Sequence, residues 1–240
     1  MKLNKRGSHV GVVISFVVFI VFIIFLYSVI EPVIKVQKDK EFIIEYIKGE
    51  LPNLVSENMT KISFRVNDGF EFENGKTCFK LDLDFPSISS PGSITKSNEE
   101  VINSKVSGDY LFVDESTPQG MFFEVFYSNE FDNSFEVTGC DEMQETEDFI
   151  LGATSNKEYI FEKKIIQLIN RHISNYEELK RELTVPEGSE FSLIFVKADK
   201  TEIKTEQKDI EANIYSQKVP IIYVDSEANI KSGYIIIKVW

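Results

Sequence analysis

Two cysteines and two histidines are the residues of this 240-residue chain best suited to chemistry: Cys78, Cys140, His9 and His172. A nucleophilic serine or cysteine usually needs a histidine as general base, and a zinc site needs three or four nitrogen or sulfur ligands. Two distant histidines supply neither set. The chain also contains no nucleophile-elbow, phosphate-loop or dinucleotide-binding motif. We therefore predict no catalytic, cofactor-binding or metal-binding residue and a non-enzymatic protein, with His172 in a structural role.

Paired carboxylates are the remaining chemical pattern. Asp82 and Asp84 alternate with leucines, so they share one face of a predicted strand, and a glycosidase needs two carboxylates that face a sugar. A solvated sheet face explains the same alternation, and we prefer that interpretation. The acidic run 141–148 lacks the alternating ligands and central glycine of a calcium loop, so it is interpreted as a solvated connection. A membrane-anchored hydrolase is kept as the third alternative for function.

An apolar stretch, residues 10–30, contains no charged residue. It determines on which side of a membrane the rest of the chain is expected. At about 1.5 Å per residue it matches a hydrocarbon core of about 30 Å. A cleaved secretory signal would have a shorter apolar region and a small-residue cleavage site. Residues 1–9 hold Lys2, Lys5 and Arg6 and no acidic residue, which favours a cytoplasmic N-terminus. We predict a single-pass protein of the cell membrane whose C-terminal domain is extracytoplasmic.

Residues 31–57, beyond the span, are predicted to form a juxtamembrane amphipathic helix, interrupted near Gly49 and Pro52. Its apolar residues recur at spacings of three and four: Ile43, Ile44, Ile47, Leu51, Leu54 and Val55. We expect this stripe to lie against the exterior domain. A free stalk or a coiled-coil seam is also compatible with the pattern.

The exterior part is predicted as a β-rich unit, residues 58–150, followed by an α+β unit, residues 151–240. Alternation and turn residues predict three strands joined by hairpin turns, at 62–66, 70–73 and 76–85. Further strands are predicted at 110–113, 121–127, 135–138, 191–196, 210–218, 220–224 and 233–240, and a polar loop is predicted at 86–107. Two S-x-x-E capping boxes, at Ser155 and Ser174, predict two helices. The fold class is therefore α+β, with a mostly antiparallel sheet.

Cys78 and Cys140 both fall in the exterior part, where a disulfide can persist. We predict that they are bridged, which would contribute about 4 kcal/mol in the chain-entropy account. Two buried free thiols are the alternative. Asn58-Met59-Thr60 is the single N-glycosylation sequon, and Asn58 is a candidate acceptor.

Gly7, Gly11 and Ser15 recur every four residues and predict a small-residue face on which another helix could pack. Besides the lipid bilayer, the expected partner is therefore a second copy or another membrane helix. The net charge of −13 disfavours nucleic acid as a partner.

Basic residues, a glycine, one long apolar helix and a β-rich exterior together resemble archaeal type IV pilin-like proteins. Lys5-Arg6-Gly7 is similar to the class III signal cleavage site of that family, and the likeness covers about the first 55 residues. The resemblance implies cleavage after Gly7, Ser8 as the mature N-terminus, and bundling of the freed helices into a filament core through Gly11 and Ser15. Val12 stands where bacterial pilins carry a glutamate, so their mode of subunit registration is not implied.

Two functions compete within this prediction. The first is an uncleaved, membrane-anchored surface protein with a structural, binding or assembly role, and we favour it because the cleavage motif is three residues long. The alternative is a pilin-like filament subunit processed after Gly7.

Overall fold

A computed structural model describes residues 8–72, 75–83, 92–132, 139–205 and 213–240. Side chains are described outside positions 8, 9, 32–34 and 36. The fold is α+β, as predicted. In chain order the elements are α1 Ser8–Val55, β1 Ser56–Val66, β2 Phe79–Asp82, β3 Gly92–Ser97, β4 Glu100–Ile102, β5 Ser104–Ser107, β6 Tyr110–Val113, β7 Phe122–Ser128, β8 Asp141–Glu142, β9 Phe149–Phe161, α2 Glu162–Ser174, α3 Tyr176–Glu182, β10 Phe191–Val196, β11 Glu202–Lys204, β12 Tyr215–Val224 and β13 Ile230–Val239.

Helix α1 is continuous over 48 residues. The interruption predicted near Gly49 and Pro52 is absent, because both residues lie within the helix. A proline inside a helix costs about 3 kcal/mol through its missing N–H and its ring. Burial of Ile47, Leu51 and Val55 in the same part of the helix offsets that cost.

The larger sheet has nine strands in the order β11-β10-β13-β12-β9-β1-β7-β3-β4. Strand β1 is an interior strand and pairs antiparallel with β7 on one side and β9 on the other. Most pairs are antiparallel, but β12 and β9 run parallel and meet only at their ends, where Tyr223 lies opposite Ile160. The sheet is therefore mixed. Strand β9 crosses the boundary predicted between residues 150 and 151, and that division into two units stays a prediction.

A smaller sheet, in the order β5-β6-β2-β8, covers one face of the strands around β1. Aromatic side chains fill the space between the two sheets. The rings of Phe64 and Phe123 stack with centroids 5.0 Å apart, and Phe79 meets Phe123 edge to face at 5.7 Å. A second core lies between α1, α2, α3 and the strands β10, β12 and β13. The two cores together fix the head, by which we mean residues 43–240.

Several predicted strands are confirmed. The strands predicted at 110–113 and 191–196 coincide with β6 and β10. The strand predicted at 121–127 corresponds to β7, and the one at 233–240 corresponds to the C-terminal part of β13, which ends at Val239. The strand predicted at 135–138 lies outside the described residues.

Other strand predictions were wrong because local composition did not reveal the pairing partner. Residues 70–72 are not a strand, and β1 pairs with the distant β7 and β9 instead of forming a hairpin. The described part of the polar loop 86–107 forms β3, β4 and β5, whose serines and lysines are compatible with strands once neighbours are available. The strands predicted on either side of Val219 form one strand, β12, in which Pro220 lies opposite Tyr234.

Neither capping box caps a helix. Ser155 and Glu158 lie in β9, opposite Lys61 and Asn58 of β1, and α2 begins only at Glu162. The second predicted helix is present as α3, but no side chain caps its first residues. The Ser174 hydroxyl instead donates to the Asn170 carbonyl oxygen at 2.9 Å.

Candidate functional site at the junction of helix and head

The N-terminal half of α1 is apolar and uncovered. Val10–Glu31, a stretch of 22 residues, is long and apolar enough to cross a membrane, and none of it is buried against the rest of the chain. In the described part of the chain it is the only helix with these properties. An apolar surface this large is not stable in water, because each exposed apolar Å² costs about 25 cal/mol. This half of α1 must therefore be covered by something other than the head.

The predicted small-residue face lies on this uncovered half. Outside the neighbouring backbone of its own helix, no described atom lies within 4 Å of where a Cβ on Gly11 would stand, and Ser15 is exposed. Ser8 is the first residue of α1, and Gly7 lies outside the described residues. The described residues thus leave room for a second helix at Gly11 and Ser15.

The C-terminal half of α1 is built into the head. Its apolar stripe is buried as predicted, with Leu54 half-buried, and Ile47 and Val55 have no exposed surface. Helix α2 contributes residues at the same spacing to this core: Ile165, Leu168 and Ile169. We call the contact between the apolar stripe of α1 and the head the seam. Fully burying one such side chain stabilises by about 1.5–3 kcal/mol. The seam is therefore part of the main core.

Polar contacts flank the apolar seam. Lys40 Nζ donates to Ser189 Oγ at 2.8 Å and to the Trp240 carbonyl oxygen at 2.9 Å. Burial lowers the pKa of Lys40, and the nearby carboxylates Asp39 and Glu190 partly oppose this. These bonds fix the helix against the head one turn before the apolar seam begins.

Two further bonds lie beside the seam. Gln217 Nε2 donates to Glu45 Oε1 at 2.8 Å, and this bond lowers the pKa of the exposed Glu45 carboxyl. The hydroxyls of Tyr46 and Thr184 are 3.3 Å apart. Together with Lys40, these contacts join α1 to β12, to the segment after α3 and to the end of β13.

A polar cluster centred on Glu190 lies next to Ser189, which Lys40 contacts. The Glu190 carboxylate accepts from the Tyr176 hydroxyl and, at 2.7 Å, from Lys180 Nζ. Burial, followed by the Glu190 hydrogen bond, raises the pKa of Tyr176. His172 Nε2 lies 2.8 Å from the Phe191 carbonyl oxygen, and burial lowers the pKa of the imidazole. These contacts agree with the structural role predicted for His172.

Sequence reasoning did not assign Lys40 to the junction, although its spacing carried a signal. Lys40 precedes Ile44 by four residues, so both lie on the same face of the helix. A lysine can bury its alkyl chain on such a face and still place its ammonium group on polar partners at the edge.

Cys78 and Cys140 form a disulfide. The bridge joins the residue before β2 to the residue before β8, next to the hydrogen bond from the Asp141 amide to the Cys78 carbonyl oxygen. It closes a loop with a sequence separation of 62.

Asn58 of the sequon is exposed, but it lies in the interior strand β1, and Thr60 is buried. In the folded strand the asparagine of the sequon is therefore accessible, but the threonine is not. Any glycan at Asn58 would have to be attached before β1 pairs with its neighbours.

Only one of the two carboxylates considered for catalysis lies among the described residues. Asp82 is exposed on β2 and Asp84 lies outside the described residues. In the acidic run, Asp141 is buried and pairs with Lys76 at 2.5 Å, while most of its successors are exposed. Among the described residues no three His, Cys, Asp or Glu side chains converge to hold a metal ion.

Comparison of the chain with protein-family models, with curated proteins and with solved structures found no match.

Proposed function

We propose that this chain is a single-pass membrane protein that holds a non-enzymatic exterior head on a rigid helix, in a structural, binding or assembly role. The observation that carries the proposal is the continuity of α1. One helix has an uncovered apolar half, Val10–Glu31, and a second half that is part of the head core. The bilayer is the environment that suits the first half, since a helix bonds its backbone polar groups internally beyond its first turn.

The junction argues for a positioning role. A flexible linker after a span would let a head rotate freely. In this chain, the seam around Ile47 and the hydrogen bonds of Lys40 leave no such linker between the apolar half and the head. A head held in this way has a fixed orientation relative to the bilayer, which suits contact with neighbouring copies or with a partner on the same surface.

The orientation follows from the basic residues before the span. The test is to add protease to intact cells that carry an epitope tag after Trp240. We expect the tag to be removed, and a tag placed before Lys2 to be protected until the cells are lysed. Protection of the C-terminal tag in sealed cells would contradict the proposed topology.

A pilin-like filament subunit is the second candidate, and the same continuity favours it. Helices that bundle into a filament core must carry their heads at a fixed angle, and α1 does so. If Gly7 is a cleavage site, the mature chain begins at Ser8 and loses the cations that hold it in the bilayer. The open space at Gly11 would then receive a neighbouring helix.

Two substitutions separate the candidates. Gly7→Leu should leave a pilin-like protein as a longer precursor, whereas Gly11→Leu should be processed normally and should weaken only helix packing. The measurement is the N-terminal sequence of each variant, isolated from its native membrane, together with the fraction sheared from cells. An unchanged N-terminus at Met1 in the unmodified protein would exclude the filament candidate and leave the anchored head.

A further inference from the structure

Lys96 and Asn229 meet in the head although 133 residues separate them in sequence. Lys96 lies on β3, and Asn229 lies in the turn between β12 and β13. Lys96 Nζ is 2.7 Å from Asn229 Oδ1. Because a C=O bond is about 1.23 Å long, the amine is also within reach of the carboxamide carbon.

The surroundings of this pair are unusually apolar for a lysine. Lys96 is only 8% exposed, and its Nζ lies 5.4 Å from the centroid of the Phe126 ring. Phe126 belongs to a buried apolar cluster that includes Val224, the residue before Asp225, and Ala228, the residue before Asn229. Charged groups are costly in such a place unless they are paired.

Asp225 completes the arrangement. Its Oδ2 accepts from Asn229 Nδ2 at 3.1 Å, and its Oδ1 accepts from the backbone amides of Glu227 and Asn229 at 3.0 and 2.8 Å. The Asp225 side chain is 16% exposed. A carboxyl group is thus held against the nitrogen of the same carboxamide whose oxygen contacts Lys96.

Four other charged groups surround the amine. Burial lowers the pKa of Lys96, whereas Asp225, Glu227 and Glu124 raise it by smaller amounts, and Lys231 lowers it. Glu124, which lies opposite Lys96 on β7, already pairs with Lys61 at 2.6 Å. The net effect lowers the pKa of Lys96, so a larger fraction of this amine is neutral, and hence nucleophilic, than of a free lysine.

From this geometry we propose that Lys96 and Asn229 form an intramolecular isopeptide bond, with Asp225 as the proton carrier. The chemical class is a side-chain amide exchange, and the substrate is the chain itself.

The reaction balances without any external reagent. The neutral Nζ of Lys96 attacks Cγ of Asn229 and forms the Nζ–Cγ bond. In the tetrahedral intermediate Nζ and Nδ2 are attached to the same carbon, so the Asp225 carboxylate that contacts Nδ2 takes one proton from Nζ and passes it to Nδ2. The Cγ–Nδ2 bond then breaks, ammonia leaves, and Asp225 ends as a carboxylate. No atom changes its oxidation state.

The bond would connect parts of the head that the sheet order keeps apart. Strands β9, β1 and β7 lie between β12 and β3 in the nine-stranded sheet. A covalent link from β3 to the β12–β13 turn would close a second long loop, in addition to the disulfide, and so restrict the unfolded chain.

The test is peptide mapping of the full chain, extracted in detergent, reduced, alkylated and digested with trypsin. We expect a branched peptide in which Lys96 is joined to Asn229, lighter by one ammonia, about 17 Da, than its two unlinked parts. Trypsin should also fail to cleave after Lys96. Recovery of linear peptides alone, with cleavage after Lys96 and an unmodified Asn229, would overturn the proposal.

Variants assign the roles. Asn229→Ala and Lys96→Met should both abolish the branched peptide, and Asp225→Asn should abolish it while preserving the size and shape of the side chain. Lys231→Met is the matched control, because Lys231 Nζ lies 3.7 Å from Asp225 Oδ2 but is not bonded to Asn229. The control should keep the branched peptide. A branched peptide that persists in Asp225→Asn would remove Asp225 from the mechanism.

Discussion

The seam between α1 and the head can be tested by replacing Ile47 with alanine. Ile47 has no exposed surface and packs within the cluster that joins α1 to α2 and the sheet. Replacement of a buried isoleucine by alanine typically costs about 2–5 kcal/mol, from lost transfer free energy and the cavity left behind. The upper half of that range is expected here, because rigid elements surround the site on several sides and cannot collapse into the gap.

Phe42→Ala is the matched control. Phe42 lies on the same helix, also loses a large apolar side chain, and is 73% exposed. Its replacement should change the free energy of unfolding by less than about 0.5 kcal/mol. The assay is urea unfolding of the full chain in detergent, followed by the fluorescence of Trp240, the single tryptophan, whose carbonyl oxygen accepts from Lys40. Equal effects of the two substitutions would refute the seam as a part of the core.

The remaining predictions concern the disulfide and pH. Replacing Cys78 and Cys140 with serine should lower the free energy of unfolding by about 4 kcal/mol, since the bridge closes a long loop, and denaturant titration with and without reductant measures this. The pKa of His172 in the folded head lies below its ordinary 6.5, so the unfolded chain takes up the proton first as pH falls. Stability should therefore decrease as the pH falls through about 6.5 and below, where the unfolded chain binds the proton and the folded head does not. His172→Gln, which keeps an N–H for the Phe191 carbonyl, should show a flatter profile, and an unchanged slope would contradict the assignment.

Prediction from the sequence succeeded where a local residue pattern by itself determines the environment that an element needs. The uncharged residues 10–30 predict a helix that needs no polar contact, and α1 contains them. The stripe through Ile47 and Leu51 predicts a buried face, because the helical period alone brings these residues together. Both patterns are local, so no knowledge of the rest of the fold was needed.

Prediction failed where distant partners decide the local structure. Ser155 and Glu158 have the spacing of a capping box, but their backbone groups lie in the ladder with β1, and a single cap contributes only about 1 kcal/mol. The alternation after Thr60 correctly indicated a strand but could not identify β7 and β9 as its neighbours. For the same reason no local pattern reveals that Lys96 meets Asn229.

The passage from α1 to β1 has a mechanical consequence. Helix α1 ends at Val55 and β1 begins at Ser56, with no loop between them. A pulling or twisting force applied to the helix is thus transmitted directly to an interior strand of the large sheet. That strand has ladders on both flanks, to β7 and to β9, so it cannot be peeled away from one edge. A tensile force on α1 would have to break both ladders at once. We therefore expect the part of the head around β1 to be the last to unfold under such a force.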